Sequence, residues 1–214
     1  MTEDGSGAPP APSTTGWKRL LRNPWLWAGL SGLLFVSLAR NCTRYVPEPP
    51  PVIAPAPSFS LSTLAGASVI NKDFAGHPYI AHFVSGECTG DCDVAFAGMK
   101  KLQDGFEKGV YGALPVHLVT FVVGDEGVVE HYREWMETEA VDPKRWTFVT
   151  GPESILREMV RALATMGDRT ADPVWEFGLV LVDSKGRCRG FYGTDRWEID
   201  RVFHQAKDLS REPL

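Results

Sequence analysis

Two cysteines with three residues between them, Cys88 and Cys92, are the residues whose type and spacing could do chemistry. They stand in His82-Phe83-Val84-Ser85-Gly86-Glu87-Cys88-Thr89-Gly90-Asp91-Cys92-Asp93, where an apolar run gives way to a polar one. One helical turn separates them, so both sulfurs can lie on one side, close enough to chelate an ion or, with adjustment, to bond to each other. A thiol at a helix start faces the positive end of the helix, which favours the thiolate, the form that attacks disulfides and binds soft metals. Glu87, Asp91 and Asp93 pull the other way: their charge attracts a cation but opposes thiolate formation.

The elements that must position this pair are a strand before it, Tyr79 to Ser85, and a helix after it, from about Asp93 to Phe106. In that helix Phe96, Met99, Leu102 and Phe106 recur at helical spacing. Phe59–Ser62 and Ser68–Ile70 around Gly66 predict a short hairpin. Val116 to Val123 is a β-branched and aromatic run suited to a strand covered on both faces. Val128, Val129, Tyr132, Trp135 and Met136 form a helical stripe, Trp146–Val149 a short strand, and Ile155, Met159, Val160 and Leu163 another helix. Phe177–Val182 and Cys188–Tyr192 flank the turn Asp183-Ser184-Lys185-Gly186, hence a hairpin, and Trp197, Ile199, Val202, Phe203 and Ala206 give a closing amphipathic helix. Strands interleaved with helices predict an α/β fold with a thioredoxin-like central sheet and flanking helices over residues 58–214.

Ahead of this domain, residues 1–23 open with a Ser, Thr, Pro, Gly and Ala stretch without apolar period and read as a disordered tail. Residues 24–39 are uncharged and apolar, with Trp25 and Trp27 at one end and Arg40 after the other, the pattern of a single transmembrane helix. Ser37-Leu38-Ala39 also fits the end of a cleaved signal. Lys18, Arg19 and Arg22 against Arg40 and Arg44 place the tail in the cytoplasm and the bulk of the chain outside. The expected location is therefore the inner (cytoplasmic) membrane, with a single pass and the folded domain on the periplasmic side. Residues 40–57 are Pro-rich, an extended spacer. A net charge of −5 over 214 residues, with no basic patch, argues against nucleic acid. Four cysteines, Cys42, Cys88, Cys92 and Cys188, are too few for a disulfide scaffold and too scattered for a four-ligand zinc site.

The anchor, the Pro-rich spacer, Phe59-Ser60-Leu61, Cys88-x-x-x-Cys92, Trp146-Thr147-Phe148-Val149-Thr150-Gly151 and Leu181-Val182-Asp183-Ser184-Lys185-Gly186-Arg187-Cys188-Arg189-Gly190-Phe191-Tyr192 together resemble the SCO/SenC family, in order from about Phe59 to Leu209. The resemblance implies a membrane-tethered thioredoxin-like domain that binds copper through two cysteines and a histidine. It also implies a role in assembling the copper centre of cytochrome c oxidase, with a respiratory oxidase subunit or its assembly factors as partners. Counting back from Leu181, the family histidine falls on Trp175, and the prolines that follow the family cysteines are replaced by Thr89 and Asp93. Only Cys88 and Cys92 are carried over, as metal ligands and as the reactive thiols.

Two thiolates without the histidine suit Cu(I) better than Cu(II), which prefers nitrogen and oxygen. His82 and His117 lie in apolar strands and read as core histidines; His77, His131 and His204 read as loop or helix-surface residues. Glu176 offers only a hard oxygen, and Cys188 reads as a small buried residue. Three functions stay open: copper-centre assembly by Cu(I) delivery or thiol-disulfide exchange, an exported thiol-disulfide oxidoreductase without copper, and a non-catalytic binding or scaffold protein with a structural disulfide.

Overall fold

The computed structural model describes residues 22–42, 49–86, 91–108, 113–167 and 178–212. The chain divides into two compact units, Met1–Glu48 and Pro49–Leu214. The first holds one described helix, α1 (Pro24–Cys42), three residues longer than the apolar run because Arg40, Asn41 and Cys42 continue it. Its large apolar side chains are exposed, Trp25, Leu33 and Phe35 by 73 % or more. Among the described residues no helix is long and apolar enough to cross a membrane.

The second unit is built on strands β1 (Ala54–Pro55), β2 (Ser60–Thr63), β3 (Ser68–Ile70), β4 (Tyr79–Ser85), β5 (His117–Val123), β6 (Trp146–Thr150), β7 (Leu179–Val182) and β8 (Arg187–Tyr192). Its helices are α2 (Asp91–Lys108), α3 (Glu126–Thr138), α4 (Glu153–Met166) and α5 (Arg196–Leu209). One sheet runs β1-β8-β7-β4-β5-β6-β2-β3. The parallel core β4-β5-β6 carries antiparallel strands on both sides, β7 and β8 on one and the β2–β3 hairpin on the other.

Strand alternation sends Ile80, Val84, Leu118, Val122, Trp146 and Phe148 to one face, where α2, α3 and α5 cover them. Ala81, Phe83, Val119, Phe121 and Val149 go to the other face, against Leu156, Met159, Val160 and Leu163 of α4. Both faces of β4 and β5 are buried, which is why these strands read as continuous apolar runs. This is the thioredoxin-like arrangement expected from the sequence.

Part of the Pro-rich stretch is built into the sheet. Pro50 is buried, and Ala54–Pro55 pairs with β8 as an edge strand, held further by Ile53 N–H to the Cys188 carbonyl at 2.9 Å and Ala56 N–H to the Gly186 carbonyl at 2.9 Å. A proline is tolerated there because an edge strand needs only half of its ladder donors.

Candidate functional site

β4 delivers the chain to the cysteines, and its end is fixed from two sides. Gly86 adopts φ +68°, in the left-handed region that favours glycine, and turns the backbone out of the sheet. Its N–H donates to the Val123 carbonyl at the end of β5 at 3.3 Å, and its carbonyl accepts from the Tyr132 hydroxyl on α3 at 3.0 Å. Tyr132 is fully buried, so removing its hydroxyl would strand a carbonyl beside the core.

On the far side of the loop, α2 starts at Asp91, two residues before the position read from periodicity, so Cys92 falls in its first turn. The described structure includes the Cys92 backbone; Cys88, Glu87, Trp175 and Glu176 lie outside the described residues. α2 is clamped to the sheet by the predicted stripe, with Phe96, Met99, Leu102 and Phe106 each at most 3 % exposed. Full burial of each such side chain contributes about 1.5–3 kcal/mol. Phe96, one turn after Cys92, sits in an aromatic nest: Trp135 at 4.5 Å, Tyr132 at 5.5 Å and Phe148 at 6.1 Å between ring centroids. Behind α2 stands α5, close enough that a Cβ on Gly98 would come within 2.6 Å of Ile199 Cδ1. Lys101 pairs with Asp200 across the same helices at 3.0 Å. The helix that carries Cys92 therefore cannot shift without moving the core, and the positive end of its dipole is presented at the Cys92 backbone.

The histidines separate according to burial. His82, on β4, is 3 % exposed, with its ring edge-on to Phe96 at 5.2 Å, and its Nδ1 is buried with no partner among the described residues. Burial pushes its pKa down to about 4, so the ring is neutral at neutral pH. His117, half-buried at the start of β5, is also held below the ordinary imidazole value, by burial first and then by His77 and Arg145. His77 and His204 are exposed and His131 is partly exposed, as the sequence reading expected of surface histidines. Among the described residues no group of three or more His, Cys, Asp or Glu stands together to hold a metal ion. Cys188 is fully buried, and burial together with the nearby Asp183 charge pushes its thiol up to about 11, an inert sulfur.

The residues that periodicity did not single out form a buried ion-pair cluster. Asp183, read only as a turn residue, accepts from Arg187 Nε at 2.9 Å and Arg189 Nη1 at 2.9 Å. Arg189, 6 % exposed, also donates from Nε to the Pro50 carbonyl at 2.7 Å and pairs with Glu212 at 3.5 Å. Burial alone would raise the Asp183 pKa, but the bonds from Arg187 and Arg189 outweigh it and hold the carboxyl below its ordinary value. The only sequence signal was charge inside an apolar hairpin.

The second unit is thus a thioredoxin-like domain in which Cys92 stands in the first turn of the helix that follows the first parallel strand. No protein-family model matches the chain, and no curated protein matches it. Solved structures of the Sco/SenC family, which the motifs resemble, do share the fold. BsSco, a member of the Sco family of cytochrome c oxidase assembly proteins, superposes with a TM-score of 0.62 at 19 % identity, covering 78 % of this chain and 99 % of its own. A SCO1/SenC family lipoprotein from Bacillus anthracis gives 0.60 at 19 % identity, covering 75 % and 98 %. Bradyrhizobium japonicum ScoI with copper bound gives 0.52 at 15 % identity, covering 73 % and 99 %.

Proposed function

We propose that this chain is a divergent Sco/SenC protein that assists assembly of the copper centre of cytochrome c oxidase, through Cys88 and Cys92. The observation that carries the reading is the placement of Cys92 in the first turn of a rigidly packed helix, four residues after Cys88, in a domain whose structural neighbours include Sco proteins. Copper is the cargo. A dithiolate donor set suits Cu(I) and disfavours Cu(II), so the pair acts either by passing Cu(I) or by exchanging disulfides with a client thiol. In the exchange, Cys88 thiolate attacks a client disulfide, the client's other sulfur leaves as thiolate, and Cys92 then displaces the client from the mixed disulfide, leaving Cys88–Cys92 oxidised and the client reduced.

The exposed apolar surface of α1 and the uncharged run from Pro24 to Ala39 support attachment of the chain to a membrane. Extraction of the full chain from membranes by alkaline carbonate, without detergent, would remove that part of the reading. The Trp175 that replaces the family histidine favours a second reading, an exported thiol-disulfide oxidoreductase without copper. Titration of the reduced protein with Cu(I) separates the two. Stoichiometric binding lost in Cys88→Ser and in Cys92→Ser supports copper handling; no binding, with full disulfide exchange on a model substrate, leaves the oxidoreductase.

A further inference from the structure

At the end of the sheet where β4 and β5 begin, two histidines stand together that play no part in the cysteine chemistry. His77 precedes β4 and His117 opens β5, with ring centroids 5.6 Å apart and planes inclined by 56°. Their spacing is set by backbone. His117 N–H donates to the Pro78 carbonyl at 3.0 Å, and Gly76, at φ +91°, donates its N–H to the Ser184 carbonyl at 3.0 Å. The His117 ring is further held by Phe74, edge-on at 6.2 Å, while His77 is exposed.

We propose that His77 and His117 form a two-imidazole site for a borderline divalent transition-metal ion, Cu(II) foremost, with water completing the coordination. Nitrogen–metal bonds of about 2.0–2.1 Å from two imidazoles to one ion place the ring centroids roughly 4.5 Å apart at a 90° angle and roughly 6.4 Å apart at 180°, and the 5.6 Å separation falls between these limits. Imidazole suits Cu(II), Ni(II) and Zn(II), and Cu(II) binds tightest of these.

The groups facing the pair are Phe74, which supplies an apolar wall, and Arg145. The Arg145 guanidinium is tied to the Leu114 and Val116 carbonyls, and its charge weakens a dication without blocking the nitrogens. The site is separate from the cysteine pair in position and in metal preference: imidazoles select the oxidised ion, thiolates the reduced one.

The test uses the full chain in detergent with Cys42, Cys88 and Cys92 replaced by serine, titrated with Cu(II) and read by electron paramagnetic resonance. One Cu(II) per chain with nitrogen hyperfine splitting from imidazole is expected. His77→Ala and His117→Gln should each weaken binding roughly tenfold or more, because the second imidazole of a chelating pair acts at high effective concentration. His131→Ala and His204→Ala should leave it unchanged. His77→Ala changes an exposed side chain, so its effect does not depend on folding. Absence of imidazole-bound Cu(II), or a signal that survives both His77→Ala and His117→Gln, as copper held by the terminal amine would, overturns the proposal. Neither result bears on the Cu(I) chemistry of the cysteines.

Discussion

Acidification should unfold this domain through His82 before it titrates the carboxylates. The ring is buried between β4 and Phe96 and is held to about 4, with burial as the sole cause, whereas an unfolded chain carries an ordinary histidine near 6.5. Above pH 6.5 the ring is neutral in both states and its contribution to stability is fully present. Between 6.5 and about 4 only the unfolded chain takes up the proton, so stability falls by about 1.4 kcal/mol per pH unit and levels off below the folded value. The shift in hand amounts to about 3 kcal/mol, a large share of the roughly 5–15 kcal/mol that holds a domain together. His117 adds a smaller loss in the same direction. The assay is urea unfolding of residues 49–214 at intervals from pH 7.5 to 4.5, for the parent, His82→Leu and His117→Gln. His82→Leu should flatten most of the slope and, by removing a buried unpartnered nitrogen, leave stability at pH 7.5 equal or higher. A slope unchanged in His82→Leu would refute the claim that burial of this ring controls the acid limit.

Further perturbations test the parts that hold the site. Arg189→Ala leaves Asp183 buried with one partner fewer and frees the Pro50 carbonyl, so a loss of about 3–5 kcal/mol in urea unfolding is expected. A loss under 1 kcal/mol would mean that the cluster is solvated. Tyr132→Phe removes the bond to the Gly86 carbonyl and should cost about 1–3 kcal/mol, with faster amide hydrogen exchange localised to the end of β4; uniform exchange along the strand would argue against a local clasp. Trp175→His places an imidazole at the position where the Sco/SenC resemblance expects one, and under the proposed function it should tighten Cu(I) binding by the reduced protein. An unchanged affinity in that titration would show that position 175 does not face the pair.

The stripe Phe96, Met99, Leu102 and Phe106 was legible because a helix buries every third or fourth residue, and the continuous run His117–Val123 because a central strand buries both faces. Those are local signals, and with them came the order of strands and helices and the place of Cys92 at the start of the helix after β4. What the sequence did not reveal are meetings between distant residues. Arg189 reaches Pro50 across 139 positions, His77 meets His117, and Tyr132 clasps Gly86, and no periodicity encodes any of these. The edge strand Ala54–Pro55 was hidden for a different reason: proline-rich composition reads as spacer, and only the unpaired edge of β8 turns it into structure. These long-range ties fix the approaches to the cysteine loop, one at Gly86 through β5 and α3, the other at α2 through the aromatic nest and α5. The described residues on both sides of positions 87–90 are thus tied to the core, Gly86 by the Tyr132 hydroxyl and α2 by the packing of Phe96.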